Sequence, residues 1–256
     1  MPFFAAPTLG RLKDFQRRTV DYVFRRMYLD ESPALRFLVA DEVGLGKTLV
    51  ARGVIARALQ HLQDRVERVD IVYVCSNAAI AHQNINRLNV LGTGGFALAS
   101  RLTLLPTQVA GLRGNPVNFV SFTPGTTFDL KSRSGIVRER SVLFRMLREG
   151  GFDEQGLLHA LQGPAGLPGW KSAALDWDYP IDTELAAGFL ASVAQDGDLA
   201  ARIEEICARI HRYREQVPWD DSNARYELIG DLRQRLAHVC LDALEPDLVI
   251  LDEFQR

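Results

Sequence analysis

Apolar positions recur along the chain in two rhythms, one helical and one continuous. Leu12, Phe15, Val20, Val23, Phe24 and Met27 fall at helical intervals, with Arg17, Arg18, Arg25 and Arg26 on the other faces, which predicts a helix over Leu12–Met27. Leu38, Val39 and Ala40 form a short apolar run, too short for a helix and suited to a buried parallel strand. Helical spacing returns over Thr48–Gln63. The β-branched stretch Val69–Cys75 predicts a second buried strand. A helix over Ala78–Leu88 follows, then a loop at Gly92–Gly95, with Phe96–Leu102 and Val117–Phe122 as further candidate strands. From Lys131 the pattern changes. Residues 136–147, 154–161, 184–194, 199–217 and 224–244 read as helices, two of them N-capped by Asp153 and Asp182. Gly163–Pro180, rich in Gly, Pro and Trp, reads as a long ordered loop. Strand character reappears only at Leu248–Leu251, apolar at every position like a strand buried on both faces. Alternating strands and helices predict an α/β doubly wound parallel sheet for 1–130 with 246–256, interrupted by an all-helical insertion at 131–245.

Composition narrows the class. At 256 residues and 47% apolar content the chain can bury a sizeable core. Lys and Arg total 30 against 32 Asp and Glu, a net charge of −2, which argues against a tail-driven polyanion binder but leaves room for a local basic groove. Cys75, Cys207 and Cys240 are scattered, with no C-x-x-C pair, and the five histidines lack ligand spacing. A disulfide framework or structural zinc is therefore not expected, and a reducing compartment is. No apolar run approaches the ~18 residues of a bilayer span, and Met1–Gly10 lacks a basic n-region. The expectation is a cytoplasmic protein without a membrane partner.

The chemistry concentrates at two places. Phe37–Thr48 reads Phe-Leu-Val-Ala-Asp-Glu-Val-Gly-Leu-Gly-Lys-Thr: apolar run, glycine loop, Lys-Thr, helix. In that context the backbone amides of Val43, Gly44, Leu45 and Gly46 can close on a phosphate, helped by the positive end of the helix. Lys47 would neutralise the β- and γ-phosphates and Thr48 would ligate Mg²⁺. Asp41 stands where the general P-loop pattern has its first glycine, and an ordinary Gly-rich turn is the plain alternative. The second place is Asp252-Glu253, delivered to the carboxyl end of the last strand, where open α/β sheets hold ligands. Asp252 would hold Mg²⁺ through its water shell, and Glu253 would orient and deprotonate the attacking water. A simple turn is the competing reading.

Together these segments resemble the first RecA-like domain of superfamily 2 helicases, and within them the Swi/Snf-related DNA-dependent ATPases. Residues 41–48 are similar to motif I of that group, Asp41 included, and Leu251-Asp252-Glu253-Phe254-Gln255 to motif II. The resemblance implies ATP and Mg²⁺ as ligands, with Gln16 reading adenine from upstream of the motif I strand. Val72–Leu88 resembles motif Ia, which implies nucleic-acid backbone contacts by Ser76, Asn77 and Gln83. Ser121-Phe122-Thr123-Pro124-Gly125 resembles motif Ib and implies the same for Ser121 and Thr123. It further implies double-stranded DNA as partner, a motif III strand between the motif I and motif II strands, and a second RecA-like domain carrying an arginine finger. The chain ends one residue after the motif II glutamine, so little turnover by this chain alone is expected. A nucleotide-binding regulatory module that docks a protein partner is the reading from another class. An inert fragment is the third.

Overall fold

The structure, a computed structural model, describes residues 3–40, 45–91, 101–107, 116–123, 133–176, 179–210 and 217–252. The chain divides into two compact units, one of residues 1–98, 112–123 and 245–256, the other of 99–111 and 124–244.

The first unit is α/β. Its sheet has three parallel strands, β1 (Val69–Cys75), β2 (Val117–Phe122) and β3 (Leu248–Asp252), in the order β2-β1-β3. The continuous apolarity of Val69–Cys75 follows from this central position, with a neighbour on each edge and six of its seven residues buried. Register sets Tyr73 opposite Ser121 on one side and Ile250 on the other, and Cys75 opposite Asp252. Below the ladder, Asp70 N donates to Asp247 Oδ2 at 2.8 Å and Asp247 N to the Asp70 carbonyl at 2.9 Å, which fixes where β3 enters.

Helices α1 (Ala6–Leu9), α2 (Asp14–Phe24), α3 (Lys47–Leu62) and α4 (Ala78–Leu88) complete this unit. A π-helical turn, Arg25–Leu29, prolongs α2. The periodic residues Val20 and Val23 of α2 meet Val54, Ile55 and Leu59 of α3 over Ile71, Tyr73, Phe119 and Leu248 of the sheet. Each such fully buried aliphatic side chain is worth roughly 1.5–3 kcal/mol. α2 approaches α3 at Gly53, where an added Cβ would lie 2.5 Å from Val20 Cγ2.

The expected strand at Leu38–Ala40 does not form: residues 36–40 carry no regular secondary structure, and Leu38 is 83% exposed. A strand exists only with a partner beside it, and none lies next to this run among the described residues. The candidate strand at 96–102 falls outside the described residues except for its end, where Leu102 opens a 3₁₀ helix, Leu102–Thr107.

The regular elements among the described residues of 133–244 are helices: α5 (Val137–Glu149), α6 (Glu154–Ala160), α7 (Leu167–Leu175), α8 (Thr183–Gln195), α9 (Gly197–Ile210) and α10 (Trp219–Asp242). Asp153 caps α6 through Gly156 N at 2.7 Å, and Asp182 caps α8 through Glu184 N and Leu185 N. The stretch read as a loop, 163–180, instead contains α7. Its Pro168 sits in the first turn, where the missing N–H costs nothing, and Trp170 and Ala174 are buried one turn apart. Trp170 Nε1 donates to the Leu158 carbonyl at 2.6 Å. The polar centre of this unit is Glu139, wholly buried, which accepts from Thr103 Oγ1 at 2.6 Å, Ile136 N at 2.8 Å and Arg233 Nη2 at 3.1 Å. Among the described residues, no helix is long and apolar enough to cross a membrane.

Candidate functional site

The carboxyl ends of three parallel strands point the same way, so their last residues and the loops after them share one rim of the sheet. On that rim β3 delivers Asp252, partly exposed. Helix α3 starts with Lys47 and Thr48, also partly exposed, directly after Gly46. Gly46 adopts φ 83°, the left-handed region open to glycine, and its carbonyl accepts from Leu49 N at 2.8 Å and Val50 N at 3.1 Å. Lys47, Thr48 and Asp252 line a single cavity of 530 Å³ with Tyr73. Its remaining wall is mainly apolar, from Val50 and Val54 of α3 to Leu38 and Val39 on one side and Leu248 and Ile250 of β3 on the other.

Asp252 is held in place. Its Oδ2 accepts from Tyr73 Oη at 2.8 Å and from Asn84 Nδ2 at 3.2 Å, and Asn84 Nδ2 also reaches Tyr73 Oη at 3.1 Å. Tyr73 is fully buried. Burial raises the phenol well above its ordinary value; the Asn84 hydrogen bond opposes this, and the Asp252 carboxylate adds to it. The hydroxyl therefore stays protonated and donates at every physiological pH. Neither Tyr73 nor Asn84 carries a sequence signal, because nothing local marks a tyrosine in a strand or an asparagine in a helix as the neighbour of a distant aspartate.

The other expected site residues are distributed as follows. Gln16 is buried at 4% exposure, its Oε1 accepting from Lys13 N and its Nε2 donating to the Leu45 carbonyl, both at 3.0 Å. It thus ties the start of α2 to the loop ahead of α3. Ser76, Asn77 and Gln83 are exposed where α4 follows β1, and Asn77 Oδ1 caps Ile80 N at 3.3 Å. Ser121 and Thr123 are buried on and just beyond β2. Val43, Gly44 and Glu253, with Asp41, lie outside the described residues.

A hydrated Mg²⁺ needs one or two protein oxygens and keeps several waters, its remaining ligands coming from phosphate. The Thr48 hydroxyl and Asp252 carboxylate on one cavity fit that demand. The absence of any cluster of three or more His, Cys, Asp or Glu among the described residues does not bear on it.

Fold and site thus define an α/β protein in which the start of α3 presents a lysine and a threonine, and the end of β3 an oriented carboxylate, to one cavity. Compared with known proteins, the chain matches no family, no curated protein and no solved structure.

Proposed function

We propose that the first unit is the ATP-binding half of a superfamily 2, Swi/Snf-like DNA translocase, RecA-like in fold, with the helical unit as an insertion. The observation that carries this reading is the shared cavity: Lys47 and Thr48, at the start of α3, line it together with Asp252, at the end of a strand about two hundred residues later. Lys47 binds the β- and γ-phosphates, while Thr48 and Asp252 hold Mg²⁺, which supplies charge neutralisation of the phosphates when bound. Glu253, the next residue, is the base for the attacking water. Gln16 reads adenine only by exchanging its bonds to Lys13 N and the Leu45 carbonyl for the base's edge.

The exposed Ser76, Asn77 and Gln83 are the nucleic-acid contacts this reading favours, since short polar side chains bind phosphate without reading sequence. Ser121 and Thr123 would have to become accessible first. The same cavity runs on between residues 35–39 and the outer edge of β3, where Leu38 and Leu251 are exposed; on this reading the motif III strand would cover that apolar part. A second RecA-like domain, in cis or in trans, brings the arginine finger, worth roughly 10³–10⁵ in rate.

Thermal unfolding with and without ATP·Mg²⁺ tests the assignment. Ligand at a hundred times its Kd should stabilise the wild-type chain by about 2.7 kcal/mol, and Lys47→Ala should abolish the shift. No shift in the wild type would refute nucleotide binding. A shift that persists in Lys47→Ala would move the site elsewhere. Nucleotide binding that double-stranded DNA leaves unchanged, once the second domain is joined, would favour the regulatory module over the translocase.

A further inference from the structure

Tyr73 and Asn84 use two different elements to hold one oxygen of one carboxylate. Oδ2 of Asp252 receives the Tyr73 hydroxyl at 2.8 Å and the Asn84 amide at 3.2 Å. Among the described residues no donor meets Oδ1. The Tyr73 ring is fixed by complete burial in the core between α3 and the sheet, and Asn84 is 7% exposed on α4. The three polar groups close a triangle, because Asn84 Nδ2 also donates to Tyr73 Oη at 3.1 Å.

A carboxylate at a strand end can rotate about χ2. Two donors on the same oxygen restrict that rotation, in a residue that lines the cavity shared with Lys47 and Thr48. If the triangle served only to staple β1 to β3 it would be redundant, since five residues of β3 already pair with β1 through the backbone. Asn84 also follows the exposed Gln83 on α4, so the carboxylate's orientation depends on where α4 sits.

We propose that Tyr73 and Asn84 are positioning residues for the metal carboxylate, holding Asp252 so that its second oxygen meets the water shell of a nucleotide-bound divalent cation. The proposal rests on the ATP-binding reading above and goes beyond it: Tyr73 and Asn84 lie within the stretch that resembles motif Ia, but that resemblance gives roles only to Ser76, Asn77 and Gln83. Outer-shell partners that orient a metal-ligating group are worth roughly 10–100-fold in metal affinity. Because the ion here is met through water, about tenfold is expected.

The test is binding of a fluorescent ADP to the full chain while Mg²⁺ is titrated, with the same nucleotide in EDTA as the metal-free control. Tyr73→Phe and Asn84→Ala should each raise the half-saturating Mg²⁺ concentration about tenfold and leave affinity in EDTA unchanged. Because both act on one oxygen, the double variant should lose little more than either single one. A merely structural role would lower the melting temperature and weaken binding in EDTA and Mg²⁺ alike. Folded variants with the wild-type Mg²⁺ dependence overturn the proposal while leaving the nucleotide site standing. A wild-type chain that binds no nucleotide under either condition takes both readings down. Should Tyr73→Phe fail to fold, Asn84→Ala, at the nearer-surface position, decides alone.

Discussion

Gly46 meets two constraints at once. Its φ of 83° is strained for any other residue, and an added Cβ would lie 2.6 Å from Gln16 Nε2. Gly151, at φ 87° with nothing within 4 Å of an added Cβ, carries only the first constraint. Gly151→Ala should therefore cost the backbone term alone, roughly 1–2 kcal/mol. Gly46→Ala should cost about 1 kcal/mol more, the Gln16–Leu45 hydrogen bond that must yield. Urea unfolding of the two variants measures the difference, and equal losses would show that Gln16 does not brace the loop. The glycine turn into the helix that opens with Lys47 and Thr48 was legible in the sequence because a turn is local. The brace was not, because Gln16 reaches the loop across another helix.

At the scale of elements, α2 and α3 show packing overruling propensity. Alanine is favoured over glycine inside a helix by about 1 kcal/mol. At position 53, however, the new methyl would meet Val20 Cγ2 at 2.5 Å and Leu12 Cδ1 at 3.0 Å. Val20 is β-branched and stiff about χ1, and overpacking costs about 1–3 kcal/mol. Gly53→Ala should therefore destabilise the first unit, by about 1 kcal/mol net, seen as a lower denaturation midpoint by far-UV circular dichroism. A gain in stability would mean that the two helices part without penalty. The same scale explains the strand that did not form. Leu38–Ala40 and Leu248–Leu251 are equally apolar, yet the second pairs with Ile71–Val74 and the first pairs with nothing described. Apolarity marks a segment able to be a strand, and only a neighbour makes it one. In α7 the error ran the other way: Pro168 and Gly169 read as loop residues, while burial of Trp170 and Ala174 imposes the helix.

The whole molecule carries two units with different cores, and each can be followed separately. Its three tryptophans, Trp170, Trp177 and Trp219, all belong to the helical unit, so indole fluorescence reports that unit alone. Glu139 and Arg233 form a buried ion pair there at 3.1 Å, with side chains 0% and 6% exposed. Neutralising the acid in Glu139→Gln removes the buried negative charge that faces Arg233 and Arg101, a loss of roughly 3–5 kcal/mol when one partner of a buried ion pair is removed. The fluorescence-detected transition should move to lower denaturant by that amount. An unmoved transition would mean that Arg101, also within 3.5 Å of Glu139, and Thr103 play no part in a stabilising network.

By itself the sequence determined what depends on neighbours a few residues away: helical periodicity, the Asp153 and Asp182 caps, the glycine turn into Lys47, and the α/β alternation of the first unit. Tertiary structure alone decided which strands lie side by side, that Asp252 shares a cavity with Lys47, and that Tyr73 and Asn84 hold it. The reason is physical. A helix or cap closes its hydrogen bonds within one or two turns, so its partners are written next to it. A strand's partners, and a carboxylate's, are chosen by register between segments the chain itself keeps far apart.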